Sequence, residues 1–373
     1  MVSVGADGVH HGAVSVPQTL VDLRRRAIHR TLFRPTTLPR ALARLGFVQA
    51  DPIRAPARAQ DLTLRHRVTG YRAGDLERRY PRLAIEEDFF VNAGFITREL
   101  HALMHPRTPQ RAWTKAQWKN AQRVLEVVRD RGVAHPREVD AALELGTTTN
   151  WFGGRSSAST QLLDGLHYRG LLRVARREGG IRLYAVREPT PPPEDPRAAY
   201  DALVDVVVAK YAPLPAPTLG KLLSYLRGGV PQWSHDRAAA LTRAKARLVK
   251  HHVEGMDWLW PAGEVSRARE VGDVVRLLAP FDPLVWDRVR FELLFGWEYK
   301  FEAYTPAPKR KLGYYALPLL WRDQVIGWAN AKVDGGALDV QLGYVSGNAP
   351  RDAAFRRALE EEVERLREFL GAA

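Results

Sequence analysis

Cysteine is absent from this chain of 373 residues, methionine occurs only three times, and no apolar run approaches the ~20 residues that a membrane helix needs. Without cysteine there can be no disulfide, no thiolate metal site and no cysteine nucleophile, a composition that fits a reducing interior. Residues 1–17, MVSVGADGVHHGAVSVP, lack the basic leader and apolar stretch of a signal peptide, so a cytoplasmic, nucleoid-associated protein with no membrane partner is expected. Acidic residues are also scarce, 42 against 56 Lys and Arg, which leaves a formal charge of +14 and a pI near 10.1. A GC-rich genome explains the preference for Arg over Lys but not this imbalance, which implies a polyanionic partner, nucleic acid ahead of an anionic membrane surface. What is plentiful is hydrophobic material, 45% of the chain, enough for two to four compact units with real cores.

The apolar spacing predicts an α+β fold, mainly helical, in seven segments. After a disordered tail (1–17), a first winged-helix unit is expected over 18–112, with helices opening at Thr19 and after Thr37 and the strand FVQAD beyond Gly46. A second unit over 113–187 has three helical stretches and two alternating strands around Glu178-Gly179-Gly180, a hairpin signal. The Pro-rich linker 188–197 leads to a third unit over 198–272, ending in the hairpin candidate VEGMDWLW. Residues 273–349 are rich in aromatic and β-branched residues and read as a small antiparallel β unit, and 350–373 as an amphipathic terminal helix. Three tandem units can wrap duplex without a symmetric partner, so a monomer suffices.

The stretch LGFVQADPIRAPARAQ, residues 45–60, carries the chemistry. On a strand, residues i and i+2 share a face, so Gln49 and Asp51 could both reach one water while Val48 and Ala50 pack behind them. Pro52 biases Asp51 toward extended backbone, and Arg54 and Arg58 stand ready for flanking phosphates. An ionised Asp can take a proton from water and stabilise positive charge on a sugar ring, and a Gln amide can orient the water. A base already cationic through alkylation needs no protonation, so one carboxylate could suffice. Taken alone, Gln-x-Asp is a weak pattern, more often a solvated strand face than a catalytic pair.

The order LARLGFVQADPIRAPARAQDLTLRHR, with the distal LLAPFDPLVWDRVRFELLFGWEYKFEAYTPAPKRKLGYYALPLL, resembles the AlkZ/YcaQ-like winged-helix DNA glycosylases, bacterial enzymes that excise alkylated bases and unhook interstrand crosslinks. The likeness runs over most of residues 20–345. It implies that Gln49 and Asp51 are catalytic, in the Gln-x-Asp form of the YcaQ-type branch, and that three tandem winged helices and a β unit surround a DNA channel. The implied function is monofunctional hydrolysis of N-glycosidic bonds to cationic N7- or N3-alkyl purines in double-stranded DNA, with no cofactor. Two departures stand out: Gln60 occupies a position where many relatives carry His, and residues 86–100, EEDFFVNAGFITREL, differ from the family's Tyr-Trp-x-His-type segment. The rival from another class is a non-enzymatic DNA-binding regulator or damage-shielding factor.

Other candidates have plainer readings. Glu86, Glu87 and Asp88 read as a helix start or solvated surface rather than a catalytic cluster. His101 and His105 have the i, i+4 spacing of a metal pair, but no third ligand stands out, so no metal is expected. His251 and His252 read as surface, and His10 and His11 as tail. Asp282, Trp286, Asp287 and Arg288 either fasten the β unit to the helices or border a base pocket. Lys309, Arg310 and Lys311, between Pro308 and Gly313, read as a hairpin tip, solvated or gripping phosphate, and Arg155 as a DNA-binding residue of the second unit.

Overall fold

The computed structural model describes residues 19–149, 154–263 and 270–372. Thr19 caps helix Leu20–Thr31 reciprocally with Asp22, and Gly46, at a φ of 65°, ends helix Leu38–Leu45, whose Leu38, Ala41, Leu42 and Leu45 all face inward. Strand Phe47–Gln49 follows, then helices Ala59–Leu64 and Asp75–Arg79, then strands Ile85–Phe89 and Ala93–Thr97. The three strands are antiparallel, with Ala93–Thr97 in the middle. The same order recurs further on: helix Pro196–Tyr211, strand Leu214–Pro215, helices Ala216–Gly229 and Arg237–Arg247, then strands Leu248–Val253 and Met256–Pro261, the last again central.

Between these units lie helices Lys115–Arg131, Pro136–Leu143 and Ala158–Tyr168 and the hairpin Leu172–Glu178/Ile181–Val186. A short ribbon, Thr147–Thr149 with Arg155–Ser157, precedes the third of those helices. The C-terminal region is a four-stranded meander, Val275–Leu277, Leu317–Trp321, Gln324–Asp334 and Ala337–Tyr344, with helix Arg288–Phe295 set between its first two strands. Helix Ala353–Leu370 closes the chain against the first unit: Phe369 stacks on Tyr71 at 6.3 Å, and Glu362, fully buried, accepts from Arg65 and the Leu277 amide.

Three readings of the sequence need correction. Helix Leu20–Thr31 turns its apolar face away from the first unit: Leu23, Ala27, Ile28 and Leu32 pack with Trp258, Trp260 and Phe291 of the distal chain, while the Thr31 carbonyl accepts from Arg67. Amphipathic spacing shows that a helix has a buried face, not which partner covers it. Glu86, Glu87 and Asp88 are neither a helix start nor surface but the middle of strand Ile85–Phe89, all three buried. Acids are depleted in strands, and here cations from other elements compensate. Lys309–Lys311 do not form a hairpin tip: a 3-10 turn, Ala307–Lys309, opens a loop whose base is buried Glu302, accepting the backbone N–H of Lys311 and Leu312. One apolar cluster joins several units, running from Leu42 and Val48 through Val124, Leu166 and Leu319 to Phe355.

Asp282 has no exposed surface, and its carboxylate takes a two-armed bond from equally buried Arg67, at 2.8 and 2.9 Å. The pair fastens the helical first unit to the C-terminal region, and removing one member strands the other's charge in the interior. Asp282→Asn is expected to lower stability by about 3 kcal/mol in urea denaturation; a loss below about 0.5 kcal/mol, the size of a surface change, contradicts this fastening role.

Candidate active site

Gln49 ends the strand Phe47–Gln49, and the strand's register places it opposite Gly94. Glycine is required there, because a Cβ at 94 would collide with the Val48 carbonyl and the Phe47 ring. One more ladder contact, from the Ala50 amide to the Ala93 carbonyl at 2.9 Å, extends the pairing, and then Pro52, which has no N–H, follows. Asp51 therefore lies just beyond the strand. Its Oδ1 accepts from the Ile53 amide at 2.8 Å, a local turn of the kind Asp favours, and its own amide reaches the Gln60 Oε1 at 3.4 Å.

The expected pair on one solvated strand face is thus modified. Gln49 is buried at 5% exposure, with its amide oxygen unpartnered among the described residues, and Asp51 is half-buried beside it in sequence but in a turn. Oδ2 of Asp51 has no hydrogen bond to any described residue. Burial pushes the Asp51 carboxyl above its usual 3.8, with the Ile53 N–H opposing. Gln60, singled out above as a departure, is 1% exposed and stands behind the Asp51 backbone.

The strand is held from below. Lys210 donates its buried Nζ to the Phe47 carbonyl, and burial together with the charge of Arg67, against the opposing Asp282, lowers its ammonium to about 7. This lysine, distant in sequence, gave no local signal. It is 7% exposed and directed into the scaffold.

Of the basic residues proposed to meet phosphate, Arg54 is exposed, whereas Arg58 is mostly buried and paired with Glu77. The tip of the second unit's hairpin reaches these arginines: Gly180, at a φ of 89°, sits so close that a Cβ would strike the Arg58 guanidinium. Arg155 is exposed and bonds Thr147 Oγ1 at 3.1 Å, and Lys309 and Lys311 are exposed with Arg310 partly so. Trp286 stacks on Tyr211 at 5.1 Å, Asp287 caps helix Arg288–Phe295, and Arg288 donates to the Val285 and Pro280 carbonyls, so these three are engaged in local structure.

Two features escaped sequence reasoning. Phe301, Tyr304 and Tyr315 gather near Asp51, whose charge makes both phenols harder to ionise, after the effect of burial. Tyr304 is 79% exposed. The aromatic density of KFEAYTPAPKRKLGYY was the available signal. A cleft of about 1080 Å³ also opens where the units meet, lined by Phe89, Trp113, Tyr225, Arg111, Arg169 and Arg227 with no acidic residue. It borders the turn after Phe89 that leads to Ala93, the residue bonded to Ala50.

Asp88 supplies the third group that His101 and His105 lacked in the sequence, the three ligand atoms lying within 4.8 Å. They already satisfy one another: both Nε2 atoms donate to Asp88 Oδ2, at 2.8 and 3.1 Å, and Arg107 donates to both carboxylate oxygens. Burial would raise the Asp88 carboxyl, but Arg107 and the two histidines reverse this and hold it well below the usual range. Burial lowers both imidazoles, His105 to about 3, so they act as neutral donors in a structural node. His251 and His252 lie on strand Leu248–Val253, His252 exposed and bonded to Asp257. His10 and His11 lie outside the described residues.

The pattern of a protein family described as "DNA glycosylase AlkZ-like" matches residues 42–369. The fold is similar to that of the Streptomyces sahachiroi DNA glycosylase AlkZ, with a TM-score of 0.61 over 96% of this chain and 98% of that one, at 14% identity.

Because its carboxyl is desolvated, Asp51 should titrate above 3.8 in carboxyl-detected NMR. Its folded value being the higher, its ionised form opposes folding, and that opposition fades as pH falls through the raised value. A midpoint at or below 3.8 contradicts this description of the site.

Proposed function

As the chain belongs to the AlkZ-like family of DNA glycosylases, we propose that it hydrolyses the N-glycosidic bond of cationic N7- or N3-alkyl purines in duplex DNA, and that it also unhooks interstrand crosslinks. The observation that carries this reading is a half-buried carboxylate with one oxygen uncommitted, directly beyond a strand that buries an amide with an unpartnered oxygen. Asp51 takes the proton of the attacking water and stabilises the positive charge growing on the sugar. Gln49 orients that water, as in the Gln-x-Asp form of the YcaQ-type branch. The departing base, cationic while attached, leaves as a neutral purine and needs no acid.

The helix–strand–helix–helix–hairpin order seen twice supports reading the chain as tandem winged helices, with the middle unit as a third copy whose first strand is reduced to Ala134, bridged to Tyr184 of its hairpin. Arg54, Arg155, Lys309, Arg310 and Lys311 then bind backbone phosphates, joined by the arginines of the large cleft. Arg58 keeps its partner Glu77 and shapes the loop instead. A single chain is sufficient, since it carries all the units that contact duplex.

The reaction is monofunctional in this reading, because the lysine under the strand is bound to the Phe47 carbonyl. Duplex carrying N7-methylguanine should release the free base and leave an abasic site that hot alkali cleaves, with no protein–DNA adduct trapped by borohydride. Salt-sensitive binding without any released base, for methylated and crosslinked duplex alike, favours the non-enzymatic rival. A trapped adduct contradicts the monofunctional assignment.

A further inference from the structure

Near Asp51 the chain buries a hydroxyl that the scheme above does not use. Tyr315, two residues before strand Leu317–Trp321, is 2% exposed, and its phenolic oxygen finds no hydrogen-bond partner among the described residues. Its neighbour Tyr299 shows the usual arrangement, donating to the Ala316 carbonyl at 2.7 Å. A buried donor left unpaired is costly, so its retention asks for a reason. Phe301 holds the ring, meeting Tyr315 edge-on at 5.3 Å and Tyr304 at 6.0 Å. Tyr315 also lines a cavity of about 350 Å³ with Ala55, from the same loop as Asp51. The ionisable groups facing it are Asp51, Tyr299, Tyr304 and Arg288.

In this neighbourhood the Asp51 Oδ2 acceptor and the Tyr315 O–H donor have free capacity, and the proposed scheme adds the unpartnered Gln49 Oε1 acceptor. They are complementary to one water molecule. Such a water donates one hydrogen to each acceptor and accepts one from the phenol, which leaves a single lone pair to attack. We propose that Tyr315 is a positioning residue for hydrolysis, its hydroxyl completing with Gln49 and Asp51 the cradle that aims the attacking water at the anomeric carbon. The oxygen–carbon bond forms as the carbon–nitrogen bond breaks, its electron pair leaving with the purine. The water's proton passes to Asp51, and Tyr315 keeps its own.

This inference rests on the glycosylase reading, and Tyr315→Phe separates the two. Removing an unpaired buried hydroxyl leaves packing intact, so the variant should melt at or slightly above the wild-type temperature. Single-turnover excision of N7-methylguanine should fall about tenfold, the worth of one hydrogen bond, with DNA affinity unchanged. Loss of a donor beside Asp51 should also move the acid limb of the excision profile upward by about half a pH unit or more. Wild-type excision with an unmoved acid limb, alongside an inactive Asp51→Asn, overturns the role of Tyr315 alone. Excision that survives in Asp51→Asn overturns the glycosylase mechanism and this inference together. A Tyr315→Phe protein that melts lower and excises at the wild-type rate assigns the hydroxyl to structure and also refutes the proposal.

Discussion

Three adjacent carboxylates on one buried strand hold the parts of this molecule in register. Glu86 is met by Arg98, Arg173 and Arg187, Glu87 by Arg177 and Arg182, and Asp88 by Arg107 and two histidines. Burial alone would raise the Glu87 carboxyl, yet Arg182 and Arg177 hold it at about 2. Desolvating so many charges is expensive, and the attraction between them repays the cost only when geometry and partners are complete. The partners come from several units: Arg173, Arg177 and Arg182 from the second hairpin, Arg187 just after it, and Arg107, which also donates to the Gly229 carbonyl of the third unit. From this strand the order passes by backbone pairing to Ala93–Thr97 and then to Phe47–Gln49, so the acidic strand fixes where Gln49 and Asp51 stand.

This lock changes how the basic excess should be understood. A formal charge of +14 suggests a surface covered in free arginine, but much of that arginine is spent internally, on Glu87, Glu86, Glu362 and Asp282. The basic groups left for a polyanion include the cleft arginines Arg111, Arg169 and Arg227, the exposed Arg54, and the loop of Lys309 and Lys311, beside others spread over the surface. Arg54 lies on the loop that follows Asp51, and the cleft borders the turn that links the acidic strand to Ala93–Thr97.

How much of this was legible beforehand depended on the range of the interaction. Local signals worked: Gly46 as a helix stop, Gly179-Gly180 as a hairpin tip, the turn at Glu254-Gly255 between Leu248–Val253 and Met256–Pro261, and the β character of the distal region. Long-range compensation was invisible. Nothing near Glu86-Glu87-Asp88 announces cations arriving from 90 residues away, so low strand propensity and high charge pointed to surface. Helix Leu20–Thr31 shows an apolar stripe but not that Trp258 and Phe291 will cover it. At the candidate site, Gln49 and Asp51 were readable from order and resemblance, whereas the difference in their burial came from Pro52 ending the ladder, and Tyr315 from a fold that brings residue 315 beside residue 51.

In the proposed mechanism Asp51 is the group that converts a bound, cationic nucleoside into a free base and an abasic sugar, with the rest of the site arranged around that carboxyl. The most direct measurement compares Asp51→Asn with the unaltered protein on duplex containing N7-methylguanine, following base release and binding at low salt in parallel. Asn keeps the size of Asp but cannot accept the water's proton at pH 7. Excision is predicted to drop by about 10²–10⁴-fold while affinity for the duplex stays within about twofold. Base release at the original rate by the Asn variant contradicts the central claim.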